Sequence, residues 1–156
     1  MSRGQRLSDP KPFAQATGER DESVTEICGQ VVERLAAELP DAHVYCHLRV
    51  GNALRVMASK SGARLIYEVR REQGGICWRA AETREPQLVE DVRRDPDYMT
   101  TDERVCSEVA VPIVGGHDTL LVLDAEFPDR VFTAEEADAI LAAADRLQSE
   151  LLGQSP

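Results

Sequence analysis

The sequence predicts a three-layer α+β sandwich built as one domain. Amphipathic helices stand at both ends, period-two strands joined by tight turns fill the middle, and a glycine pair opens a short helix between the strands. The first helix is expected from a capping box, Ser23 with Glu26. An apolar stripe of Val24, Ile27, Cys28, Val31, Val32, Leu35 and Leu39 follows, and Pro40 stops it. The last helix mirrors it. Thr133 with Glu136 caps a stripe of Ala137, Ile140, Leu141, Ala144, Leu147, Leu151 and Leu152, and Gly153 ends it. The preceding residues Met1 to Arg20 mix Ser, Gly, Pro and charge and read as a loose tail, so the folded unit is expected over 21–153, with 154–156 as a short end.

Between the helices the period switches to two. From His43 to Val50, Val44, Cys46, Leu48 and Val50 share one face; His43, Tyr45, His47 and Arg49 share the other. Gly51-Asn52 turns into a second strand, Ala53 to Ser59, and Lys60-Ser61-Gly62 into a third, Leu65 to Arg70. Gly74-Gly75 opens the short helix Ile76 to Thr83. A brief strand, Leu88 to Asp91, and a turn at Asp95-Pro96-Asp97-Tyr98 come next. Val105 to Val114 and Thr119 to Phe127 then form a final hairpin. Hairpins dominate, so the sheet is expected to be mainly antiparallel, with the long helices on one face and the short helix and its loop on the other.

Composition excludes several classes. A formal charge of −10 disfavours nucleic acid, which needs clustered positive charge. No segment has the ~20 apolar residues of a membrane helix, and no apolar signal core is seen, so no membrane partner and a cytoplasmic location are expected. Cys28, Cys46, Cys77 and Cys106 lack a CxxC pair and are expected as free thiols. His43-x-x-Cys46-His47 places its histidines and its cysteine on opposite strand faces, so no metal and no cofactor are assigned.

Chemistry concentrates in the final hairpin. By alternation Val105, Ser107, Val109, Val111 and Ile113 take one face, and Cys106, Glu108 and Ala110 the other. On the partner strand, Asp124 and Glu126 oppose Leu121, Leu123 and Ala125. Three carboxylates thus share one side of a ribbon. Either they face solvent and pair with the chain's arginines, or they are held together for a cationic or hydrogen-bond-donating ligand.

The order from Gly74 to Pro112, continued through Leu120 to Asp138, resembles the GAF domain family of ligand-sensing modules. It is also similar to an enzymatic branch of that family, the free methionine-(R)-sulfoxide reductases. The resemblance implies a closed pocket on the sheet face opposite the long helices. In the enzymatic branch acids grip the free amino acid, and their positions match Glu108, Asp124 and Glu126. Tyr45, His47, Cys77, Trp78, Tyr98 and Thr101 are then expected as further lining. Trp78 stands where the enzymatic branch usually carries glycine.

The same resemblance bears on catalysis. The enzymatic branch needs a nucleophilic thiolate and a second, resolving cysteine. A cysteine of its Gly-Val-Cys motif matches Cys77, but the nucleophile's position falls on Thr101 and an upstream cysteine falls near Tyr67. A threonine hydroxyl cannot form the disulfide the reaction requires. The expectation is therefore a sensor that binds a small polar ligand without catalysis; the alternative is a divergent reductase using Cys77 and Cys106. Family members commonly dimerise through their terminal helices, so a homodimer and a signalling protein partner are expected as well. The alanine-dense stretch Ala134 to Ala144 permits close helix approach, though alanine also simply favours helix.

Overall fold

A computed structural model describes residues 18–63, 65–99 and 102–153, with side chains described from Ser23 onward. Element order is α1 (Gly18–Glu38), β1 (His43–Val50), β2 (Ala53–Lys60), β3 (Glu68–Arg70), α2 (Ile76–Thr83), β4 (Gln87–Val89), β5 (Val105–Gly115), β6 (Asp118–Pro128) and α3 (Ala134–Leu152). The six strands form one sheet in the order β3-β2-β1-β6-β5-β4, and every neighbouring pair is antiparallel. The α+β sandwich expected from the sequence is the fold observed.

Sequence and structure differ at several edges. The first helix starts at Gly18, so Ser23 lies inside it and is not its cap. The expected tail otherwise falls outside the described residues. The third strand shrinks to Glu68–Arg70, although Val56 still donates its N–H to the carbonyl of Tyr67, 2.9 Å away. The fourth runs over Gln87–Val89 rather than reaching Asp91, whose carboxylate instead accepts the Arg93 N–H and caps a 3-10 turn over Val92–Arg94. The capping box at Thr133 and Glu136 forms as expected.

Two apolar clusters lie on either side of the sheet. The larger one joins α1 and α3 to the inner strands through Leu35, Leu39, Val44, Phe127, Ile140 and Leu147, each fully buried or nearly so. Ala137, Ala143 and Ala144 of the alanine-rich helix are buried in the chain's own core, whereas Ala134 and Ala142 are exposed. The smaller cluster lies under α2 and gathers Leu54, Ile76, Trp78, Val92, Val105 and Val122. Val105 is on this side, not with Ser107 and Val109 as strict alternation expects. Val105 pairs with Pro128 and Ser107 with Phe127, so Cys106 is the extra residue of a β-bulge, and the residue before it changes face.

Candidate functional site

Register sets the site. Glu108 of β5 lies directly opposite Glu126 of β6, Ala110 opposite Asp124, and Asp124 opposite Tyr45 of β1. All three acids point to the α2 side. They are buried, at 3%, 3% and 7% exposure for Glu108, Asp124 and Glu126. Among the described residues none of them forms an ion pair; the arginines are spent elsewhere, Arg79 on Asp95 and Asp97, and Arg130 on Asp41 and Glu136. The solvent-facing alternative is therefore excluded by burial.

These acids line a cavity of about 80 Å³. That holds more than one water, which needs roughly 10–15 Å³. Tyr45 and His47 from β1 line it, with Cys77 and Trp78 from α2. Trp78 is fixed by its indole N–H, which donates to the Val69 carbonyl at 2.9 Å, and Arg49 stacks over its ring at 5.2 Å. Gly74 and Gly75 deliver the chain into α2 at φ of +76° and +112°, a backbone path that favours glycine. A Cβ on Gly75 meets Met99 Sδ at 3.3 Å, so this glycine also admits the methionine that lines the cavity.

Burial dominates the electrostatics. Desolvation pushes Asp124 up to about 7, while its hydrogen bonds with Glu108 and Cys77 pull the other way. Glu108 is raised by burial first and by the Asp124 charge second. Glu126 is raised by burial and by Glu108. The Cys77 thiol, 3.9 Å from Glu108 Oε2, is pushed up by desolvation and by all three acids. His47 is lowered to about 4 by burial, so its ring is neutral at neutral pH. Both its nitrogens, Asp124 Oδ1 and Glu126 Oε1 are buried without a hydrogen-bond partner among the described residues. Such groups ordinarily mark a place for something not made of protein.

A latch that sequence reasoning missed lies at the start of β1. His43 Nε2 donates to Asp102 Oδ2 at 3.0 Å, and its Nδ1 accepts from Ser61 Oγ at 3.1 Å. Ser61 accepts in turn from Tyr45 at 2.9 Å. Turn and strand residues 59 positions apart are joined this way, and only the lone alternation of His43 with Tyr45 hinted at it. Tyr98 packs against the smaller apolar cluster but does not line the cavity. Thr101 lies outside the described residues. Cys106 is not among the lining residues either: the bulge turns it so that its thiol meets the Arg104 carbonyl at 3.6 Å. Leu54, Ile66 and Val69 complete the apolar wall and were not anticipated.

A family model described as GAF domain matches residues 21–148, most of the chain. The chain belongs to the GAF domain family. Among curated proteins, this GAF domain is 39% identical over 56 residues to free methionine-R-sulfoxide reductase of Saccharomyces cerevisiae; the match covers 35% of the chain and 31% of the yeast protein, so the shared stretch spans about a third of that relative. Solved structures share its fold at lower identity. Free methionine-R-sulfoxide reductase from Neisseria meningitidis, in complex with its substrate, superposes with a TM-score of 0.72 at 18% identity, covering 96% of this chain and 95% of that one. The GAF domain of a phosphoenolpyruvate-protein phosphotransferase from Coxiella burnetii gives 0.67 at 21% identity, covering 90% of each chain.

Proposed function

We propose that this GAF domain is a sensor module that binds a small, positively charged or hydrogen-bond-donating ligand in the cavity under α2. The observation that carries this reading is the set of buried acceptors on its floor: Glu108, Asp124 and Glu126 are all buried, and Asp124 Oδ1 and Glu126 Oε1 have no hydrogen-bond partner among the described residues. A ligand bearing an ammonium or several N–H groups matches that floor, and Leu54, Ile76 and Trp78 offer it an apolar wall. The sensing output is expected to pass to a partner protein. Thermal shift with amino acids and polyamines tests the reading, because a ligand that binds only the folded state raises Tm by mass action. A hit lost in Glu108→Gln supports it; no shift with any amine, or a shift unchanged in Glu108→Gln, removes it.

A second reading is a divergent free methionine sulfoxide reductase, favoured by Cys77 lying in the cavity beside the acids and by the yeast relative. There a thiolate would take the sulfoxide oxygen as a sulfenic acid. A second thiol would then condense with it to a disulfide, releasing water, and an external dithiol would restore both. Cys106 stands away from the cavity lining, and the Cys77 thiol resists ionisation, so both steps are handicapped. A thioredoxin/NADPH assay with free methionine sulfoxide separates the readings. Turnover that disappears in Cys77→Ser favours the enzyme, and absence of turnover favours the sensor.

A further inference from the structure

We infer that the cavity floor is a site for one divalent transition-metal ion, held by the imidazole of His47, the thiolate of Cys77 and the carboxylate of Asp124. This rests on reading the cavity as a binding site and specifies what occupies it. One donor atom from each of these residues lies within 4.8 Å of the others, and Glu108, Asp124 and Glu126 form a second such group sharing Asp124. Three donors around one ion with bonds of about 2.0–2.3 Å sit closer together than that, a contraction that side-chain rotation supplies.

The independent observation is His47. It is 7% exposed and lines the cavity, and neither ring nitrogen has a hydrogen-bond partner among the described residues. An organic ammonium distributes its N–H donors over carboxylates, and the acid row alone satisfies it. It gives no reason for a thiol and a bare imidazole to converge on the same point. A metal ion uses all three.

The donor set also selects the metal. Mixed nitrogen, sulfur and oxygen ligands suit borderline ions of the Zn²⁺, Co²⁺ and Fe²⁺ kind, whereas Ca²⁺ and Mg²⁺ demand oxygen. The three ligands come from β1, α2 and β6, so the ion would bind across the two layers and link α2 to the sheet. Three protein ligands leave a position open toward the cavity, where a small exogenous ligand can join the ion. Glu108, whose Oε2 is 3.9 Å from the Cys77 sulfur, and Glu126 stand just behind as outer groups or additional ligands.

The test uses the full chain, tag-free, stripped with a strong chelator and returned to buffer with a phosphine reductant. Co²⁺ is added, unbound ion removed, and bound metal counted. The expected result is one Co²⁺ per chain, with a thiolate-to-cobalt band in the near ultraviolet. Cys77→Ser should remove the band, His47→Gln should weaken binding at least tenfold, and Cys106→Ser should leave both unchanged. A measurement on the unaltered chain needs no variant to fold: Zn²⁺ should slow alkylation of Cys77 but not of Cys106. Absence of stoichiometric metal, or a band that survives Cys77→Ser, or alkylation of Cys77 indifferent to Zn²⁺, overturns the inference. Thermal shift with amines in the presence of chelator runs alongside. A shift there without metal binding removes the metal and leaves the cavity as a binding site, whereas silence in both removes the two together.

Discussion

Glu126 faces Glu108 across a strand pair in a buried setting, an arrangement that costs stability wherever both carry charge. Glu126→Gln keeps the shape and removes a carboxyl whose ionisation burial opposes. It should raise the Tm of the ligand-free protein by about 2–4 °C, the shift that ~1 kcal/mol produces in a domain of this size, while weakening any cationic ligand. Differential scanning calorimetry with and without ligand checks both halves. Asp102 acts in the opposite sense. The Arg104 N–H, the His43 ring and the Arg104 guanidinium hold its carboxyl well below the usual range. A depressed carboxyl stabilises the fold above its unfolded value of about 4 and loses that contribution as pH falls below it. The gap in urea midpoint between the unaltered chain and Asp102→Asn should therefore narrow as pH falls from about 5 toward about 2, a comparison in which the raised carboxyls of the acid row cancel. The acid row was legible from alternation in the sequence because three carboxylates on one ribbon face stand out against apolar neighbours. The latch was not, since His43, Ser61 and Asp102 meet only through tertiary closure.

Turn chemistry governs the elements. Gly75 occupies φ +112° and ψ 162°, a region nearly closed to other residues, and a Cβ there crowds Met99. Gly75→Ala should cost about 1–3 kcal/mol in chemical denaturation and tilt α2 off the cavity. Thr133→Ala removes the cap of α3, whose side chain accepts the Glu136 N–H, and should cost about 0.5–2 kcal/mol with little effect on the cavity. Long periodic helices and the Gly74-Gly75 signal read directly from the sequence because each carries its own local cause. The short strands did not read as well. Three-residue β3 and β4 are defined by pairing with β2 and β5, and a lone triplet such as Gln87-Leu88-Val89 has no period of its own to recognise. Likewise Ser23 resembled a helix start, yet the helix continues upstream to Gly18.

At the scale of the molecule, one sheet separates a structural layer from a chemical one. Phe127 and Leu121 are fully buried on the helix side, while Asp124 and Glu126 of the same strand point to the cavity. Phe127→Ala should destabilise by about 3–5 kcal/mol, yet ligand affinity measured well below the new Tm should change little. The bulge at Cys106 has a consequence for how such a layout tolerates change. It is a spare link, placed between the loop that carries Asp102 and the acid row that starts at Glu108. Losing that link would straighten the strand into regular pairing, with Val105 still opposite Pro128 and still on the α2 side. Glu108 would stay where its pairing with Glu126 holds it. Variation in loop length thus has a joint in which to be absorbed, and the cavity can acquire new lids without its floor being re-laid.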